Sequence, residues 1–232
     1  MASVHKLVPV SRRLAIGGGL AVAATSTSRR FPLGAEVPVV PRDLAFDVLR
    51  KGERIGTNEV RFRQSGGGDL EVTTRLDLEV KVLFAVVFRY RQEAKDLWRD
   101  GRLVASDIET DDDGERTTVR VREAGDGRLT VEGPAGSYAA EAGTMTDLSF
   151  WNPAIVRQTR IIDGQNAELT PITLTAAVRE TVAAGGGPVA ATRHGFATTR
   201  GREGSVWYDA GGRWVRAEYV TRGEPLAFES RG

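Results

Sequence analysis

Residues 76 to 90 carry apolar side chains at every second position for an unusual length. Leu76, Leu78, Val80, Val82, Phe84, Val86, Phe88 and Tyr90 share one parity, and a period of two places them on one face of extended backbone. The other parity opens polar at Asp77, Glu79 and Lys81. It turns apolar at Leu83, Ala85 and Val87, then returns to Arg89 and Arg91. The middle of the segment is therefore expected to be covered on both faces. Strands ordinarily run about 5 or 6 residues. The segment is thus one strongly bent strand, or two strands joined by a tight connection between Val82 and Ala85.

Turn signals recur at strand spacing through the rest of the chain. Trp98-Arg99-Asp100-Gly101-Arg102-Leu103-Val104 resembles Trp207-Tyr208-Asp209-Ala210-Gly211-Gly212-Arg213-Trp214-Val215. Weaker echoes surround Gly52 and Gly127. In each, glycine supplies the positive φ of a tight turn and a basic residue opens the return strand. Strand-like runs between these turns predict an antiparallel meander. One helix is predicted, over residues 153–159, where Asn152 caps the N-terminus and Pro153 takes the first helical position. A dozen strands beside one short helix give an all-β fold class: an antiparallel meander forming a strongly curved sheet or incomplete barrel.

The framework Phe46-Asp47-Val48-Leu49 with Gly52 and Ile55-Gly56, then Glu93 with Trp98 to Leu103, then Trp151-Asn152-Pro153, then Trp207-Tyr208-Asp209 with Gly212 resembles an uncharacterised bacterial family of exported β-proteins, a domain-of-unknown-function family. The likeness covers most of residues 44–229. Its motifs are structural punctuation, and it implies no activity. More distantly, the strand pattern is similar to lipoprotein-carrier folds, which implies a curved sheet around an apolar cavity. That similarity is one of fold, and function does not follow from fold.

The first 35 residues change where the protein is expected to act. They contain no Asp or Glu, carry Lys6, Arg12 and Arg13, and continue into a mild apolar run from Leu14 to Ala24. A basic start, a short apolar stretch and small residues beyond it form the pattern of a cleaved export signal. Ser11-Arg12-Arg13-Leu14 gives it a twin-arginine character. Cleavage after Ala23, Ala24 or Ala35 is compatible with the segment. The apolar run is shorter than the roughly 20 residues of a membrane span. The expected organisation is a signal peptide over residues 1–35 and a single all-β domain over residues 36–232, periplasmic and soluble.

Composition removes several chemistries. There is no cysteine, so disulfides, thiolate metal sites, cysteine nucleophiles and a lipoprotein anchor are excluded. Five of the 32 basic residues lie in the first 35, so 27 face 31 acids beyond them and that part carries a charge of −4. Mildly acidic and interspersed, such a surface is not built for a polyanion. Asp111-Asp112-Asp113-Gly114-Glu115 has the alternating oxygens of a calcium loop, but Arg122 stands where the bidentate Glu belongs. A solvated hairpin tip is the favoured reading there. His194, the one histidine after the signal, has no nucleophile motif beside it. Glu93, Asp96, Asp100, Asp147 and Asp163 are scattered carboxylates that only the fold can bring together.

No catalytic residue, metal ligand or cofactor is predicted. The expected ligand site is the concave face, partly closed by Trp151-Asn152-Pro153, with Phe84, Phe88, Phe150 and Trp151 as its candidate residues. The expected function is a non-enzymatic binding or carrier protein for an apolar or amphipathic ligand, a small molecule or a lipid. Two alternatives stay open: a hydrolase-type enzyme using carboxylates on the sheet, and a structural or assembly partner.

Overall fold

The structure is a computed structural model and describes residues 40–232. The expected signal segment, residues 1–35, lies outside the described residues. From Leu44 onward the chain builds sixteen strands into one sheet. The first eight run as an up-and-down meander: β1 (Leu44–Arg50), β2 (Glu53–Gln64), β3 (Leu70–Val82), β4 (Ala85–Arg99), β5 (Arg102–Asp112), β6 (Glu115–Glu123), β7 (Leu129–Gly133) and β8 (Gly136–Ala140). After β9 (Met145–Thr146) come two 3-10 turns, Ser149–Trp151 and Pro153–Arg157, and then β10 (Arg160–Ile162) and β11 (Leu169–Leu174). A second meander completes the sheet: β12 (Val178–Ala184), β13 (Gly187–Thr198), β14 (Glu203–Asp209), β15 (Trp214–Thr221) and β16 (Glu224–Ser230).

The two meanders join where β1 pairs antiparallel with β16, Phe46 opposite Ser230 and Arg50 opposite Leu226. The sheet is thus continuous from β8 at one edge to β9 at the other, with β12 alongside β13. It curls without closing. Its ends meet through side contacts instead: the Ala135 amide donates to the Asn166 carbonyl at 2.9 Å, and the Tyr138 hydroxyl donates to the Ala167 carbonyl at 2.6 Å. One pairing departs from the expected antiparallel pattern. β9 and β10 run parallel, because the 3-10 segment between them carries the chain back before it re-enters the sheet.

The expected helix is present as a 3-10 turn, Pro153–Arg157. The Asn152 side chain accepts from the Ala154 amide at 3.0 Å, so the cap and the leading proline act as the sequence indicates. The turn tightens and stops because the Gln158 amide donates to the Ile155 carbonyl and its backbone becomes extended.

Alternation sets the core. Leu44, Phe46 and Val48 point inward from β1, Val60 and Phe62 from β2, Val72, Leu76 and Leu78 from β3, and Ala94 and Trp98 from β4, all buried. Phe46 packs on Trp214 with ring centroids 4.2 Å apart. Outward-facing Trp207 belongs to a small separate cluster with Ala184, Ala191 and Val215, under the β12–β13 hairpin.

The long alternating segment is two strands. Val82 pairs with Ala85 across a two-residue turn, Leu83-Phe84. The expected cover on both faces is not there: Val82, Leu83, Phe84, Val86 and Val87 are all exposed, Leu83 by 91% and Phe84 completely. The reason lies in the register. β2 last pairs with β3 at Gly56 and Leu78, and β4 last pairs with β5 at Tyr90 and Asp112. Residues 79–88 therefore have ladder partners only within the hairpin, and the tip from Val82 to Val87 is left bare.

Candidate functional site

The curled sheet encloses a cavity of about 390 Å³, within the usual size range of small-molecule sites. β3 and β4 supply one apolar wall through Leu76, Leu78, Val80 and Phe88, and β15 and β16 supply the opposite one through Trp214, Leu226 and Phe228. Leu148 and Phe150, from the segment between β9 and β10, close it from below. The Phe150 carbonyl is held by the Tyr208 hydroxyl at 2.8 Å, and its ring lies 5.3 Å from that of Phe196. The mouth opens at the end that carries the β1–β2, β3–β4 and β15–β16 turns, between Arg50, Val87, Thr221 and Glu224.

A polar belt crosses this apolar interior. Asn58, Thr74, Gln92 and Thr110 stand on four successive strands, buried and pointing inward. The first three line the cavity. The Gln92 amide donates to the Thr110 hydroxyl at 3.0 Å. The Thr74 hydroxyl, on a residue only 3% exposed, has no partner among the described residues. Buried polar groups are nearly always hydrogen-bonded, and this hydroxyl is an exception, as are those of Thr117 and Thr170.

A charged corner lies beside the belt. The Arg202 guanidinium donates to the Asp147 carboxylate at 2.5 Å, and the other oxygen of Asp147 accepts from the Gly164 amide at 2.9 Å. Arg202 also sits over the Tyr219 ring, 6.0 Å from its centroid. Burial raises the Asp147 carboxyl above the ordinary carboxylate range, and the Arg202 charge opposes that rise. Burial also pushes the Tyr219 phenol up to about 12 and raises the Tyr90 phenol further. Both phenols stay protonated near neutral pH. Arg222 reaches Asp112, which accepts from the Gln165 side-chain Nε2 at 2.8 Å as well, and the Arg222 guanidinium holds the Asp112 carboxyl below its ordinary range.

The four candidate ligand residues separate. Phe88 and Phe150 line the cavity. Trp151 lies behind its wall in the core, edge-on to Phe62 and Trp98 at 5.1 and 5.0 Å. Phe84 stands at the projecting hairpin tip, outside the cavity, because the sheet register carries it past its neighbours. Of the scattered carboxylates, Asp147 lines the cavity and Asp163 shares a smaller recess with it. Asp163 accepts from the Gln165 and Asn166 amides, fixing its loop. Asp96 is buried in the core against Ser106, and Glu93 pairs with Arg75 on the surface. The acidic run at 111–115 is a hairpin turn, Asp113-Gly114 between β5 and β6. Among the described residues no group of three or more His, Asp or Glu is placed to hold a metal ion, and no helix is long and apolar enough to cross a membrane. Sequence reasoning missed Thr74, Gln92 and Arg202. For the first two a signal existed: each is a polar residue on the inward parity of an apolar strand.

These features define a class of protein, an unclosed, largely antiparallel β-barrel with an internal cavity. The chain belongs to the domain of unknown function family DUF6134, which matches residues 46–231. No curated protein sequence matches it closely enough to count as a relative. Among solved structures it is similar to a beta-barrel-like protein of domain of unknown function DUF1849 from Brucella abortus. That likeness has a TM-score of 0.57 at 11% identity and covers 82% of this chain and 95% of the other. At that identity the likeness concerns the fold alone.

Proposed function

We propose that this is an exported periplasmic protein that binds or carries an apolar or amphipathic ligand inside its barrel, without catalysing a reaction, its residues 36–232 acting as one domain. The observation that carries the reading is the cavity itself: apolar walls, an open mouth, and the polar residues Asn58, Thr74 and Gln92 within. An apolar cavity of this size has walls that lack packing partners from the chain itself. A ligand with an apolar body supplies those partners, and a polar group on it satisfies the belt. The carboxylates at the site are engaged in holding loops and pairing with arginine, which favours binding over acid–base chemistry.

Cell fractionation followed by native mass spectrometry of the periplasmic protein tests this. The expected result is periplasmic protein carrying a bound small molecule or lipid, and a Leu76→Trp variant that keeps the β circular dichroism signal but loses that mass. Wild-type protein without a retained ligand and without affinity for an apolar fluorescent probe would reject the carrier reading. Cytoplasmic protein would reject export.

A further inference from the structure

The two-residue turn at the tip of the β3–β4 hairpin breaks the pattern of its counterparts. Lys51-Gly52, Asp100-Gly101, Asp113-Gly114 and Arg222-Gly223 all place glycine at the second position, with positive φ at both residues. That is the chemistry a tight hairpin prefers. The β3–β4 turn has Leu83-Phe84 instead, with Leu83 held at a φ of 56°. Only Leu83 takes the positive φ that favours glycine or asparagine, and both it and Phe84 are large, apolar and exposed. Apolar residues scattered singly on a surface need no explanation, but a contiguous run does. Here Val82, Leu83, Phe84, Val86 and Val87 form such a run on a projecting finger.

We propose that the β3–β4 hairpin tip inserts into the surface of a lipid bilayer bearing anionic headgroups. Three observations select this occupant. The tip is convex and narrow. A stable contact with a second protein buries about 1,200–2,000 Å² in total, far more than a few side chains at a hairpin end provide, whereas a bilayer accepts apolar side chains one by one. The charges nearest the tip are cations. Along the hairpin the first charged residue behind the tip is Lys81 on β3 and Arg89 on β4, and the two share Glu79, which places cations nearest to the headgroups. The acidic β5–β6 turn stands level with Arg89, whose carbonyl accepts from the Asp113 amide, so Lys81 is the charge closest to the tip. Finally, Val87 belongs both to the exposed tip and to the cavity mouth. Docking therefore sets the mouth against the lipid surface. Exchange of ligand between bilayer and cavity rests on the carrier reading, but docking does not.

The test uses protein purified from cells expressing the full chain, and vesicles of equal parts phosphatidylethanolamine and phosphatidylglycerol. Wild-type protein should float with the vesicles. A Leu83→Asp, Phe84→Asp double variant should lose that binding about tenfold or more, with unchanged circular dichroism because both residues are solvent-exposed. Phe84→Trp retains apolar character, so its added fluorescence should shift to the blue when vesicles are present. Equal flotation of the double variant, absence of wild-type binding, or absence of the blue shift would overturn the proposal. So would a wild-type dimer that becomes monomeric in the double variant without any vesicle binding, since the tip would then serve a second copy of the chain. Leu76→Trp should leave flotation unchanged, which keeps failure of the cavity reading separate from failure of docking.

Discussion

Arg202 and Asp147 meet at 2.5 Å across the barrel interior, one entering β14 and the other leaving β9. The contact ties the β13–β14 connection to the segment that closes the cavity from below. Asp147 then reaches the Gly164 amide, so three stretches of chain converge on one carboxylate. Its side chain is only 8% exposed. A buried ion pair offers little net stability over an apolar pair of the same shape, but removing one partner strands the other.

Arg202→Met should therefore destabilise the protein by about 3 kcal/mol, read as a lower urea midpoint. Adding Asp147→Asn to that variant should recover part of the loss, because no charge is left stranded and the Asn carbonyl can still accept from Gly164. A double variant no more stable than the single one would show that the pair is not energetically coupled.

Gly56 stands at the last pairing of β2 with β3, where the projecting hairpin begins. A Cβ added there would fall 1.9 Å from the Asp77 carbonyl oxygen, whereas one added at Gly66 meets nothing within 4 Å. The obstacle at Gly56 is backbone, which cannot turn aside as a side chain can. Gly56→Ala should cost about 2 kcal/mol or more, and Gly66→Ala close to nothing. Thermal melts of the two variants measure the contrast, and equal melting temperatures would contradict it.

The elements most legible in the sequence are those written as alternation. The inward series Leu76, Leu78 and Val80, the glycine turns at Gly52 and Gly101, and the cap Asn152-Pro153 all recur in the structure in the roles their chemistry assigns. The tight connection between Val82 and Ala85 was legible as one of two readings. The short strands Met145–Thr146 and Arg160–Ile162 were not, because two or three residues carry no period and their pairing is fixed by the crossover around them. Nor was the bare tip. Alternation states which residues share a face, but register against neighbouring strands decides whether that face is covered. For the same reason Phe88 and Phe84, which share a parity, separate into the cavity and the solvent. The Arg202–Asp147 pair joins residues 55 positions apart, a contact that only the folded topology creates.

Asp96 gives the stability of this fold a pH dependence of unusual sign. It sits on the inward face of β4, buried, with one oxygen accepting from the Ser106 hydroxyl at 2.6 Å and the other without a partner among the described residues. Burial pushes its carboxyl from 3.8 up to about 6, against the pull of Ser106 and of the nearby Trp98 indole N–H. Between those two values the folded chain holds a proton that the unfolded chain releases. The stabilisation this provides is fully present below about pH 4 and is lost as pH rises through about 6. Two pKa units correspond to about 3 kcal/mol. Other carboxylates, such as Asp112 with Arg222, act in the opposite direction, so the contribution is isolated by comparison with Asp96→Asn, which stays neutral and still accepts from Ser106. Urea unfolding of both proteins across this range should show the variant gaining on the wild type by about 3 kcal/mol from the acid end to neutral pH. Parallel stability curves would mean that Asp96 titrates alike in the folded and unfolded chain, and that burial at this position does not hold its proton.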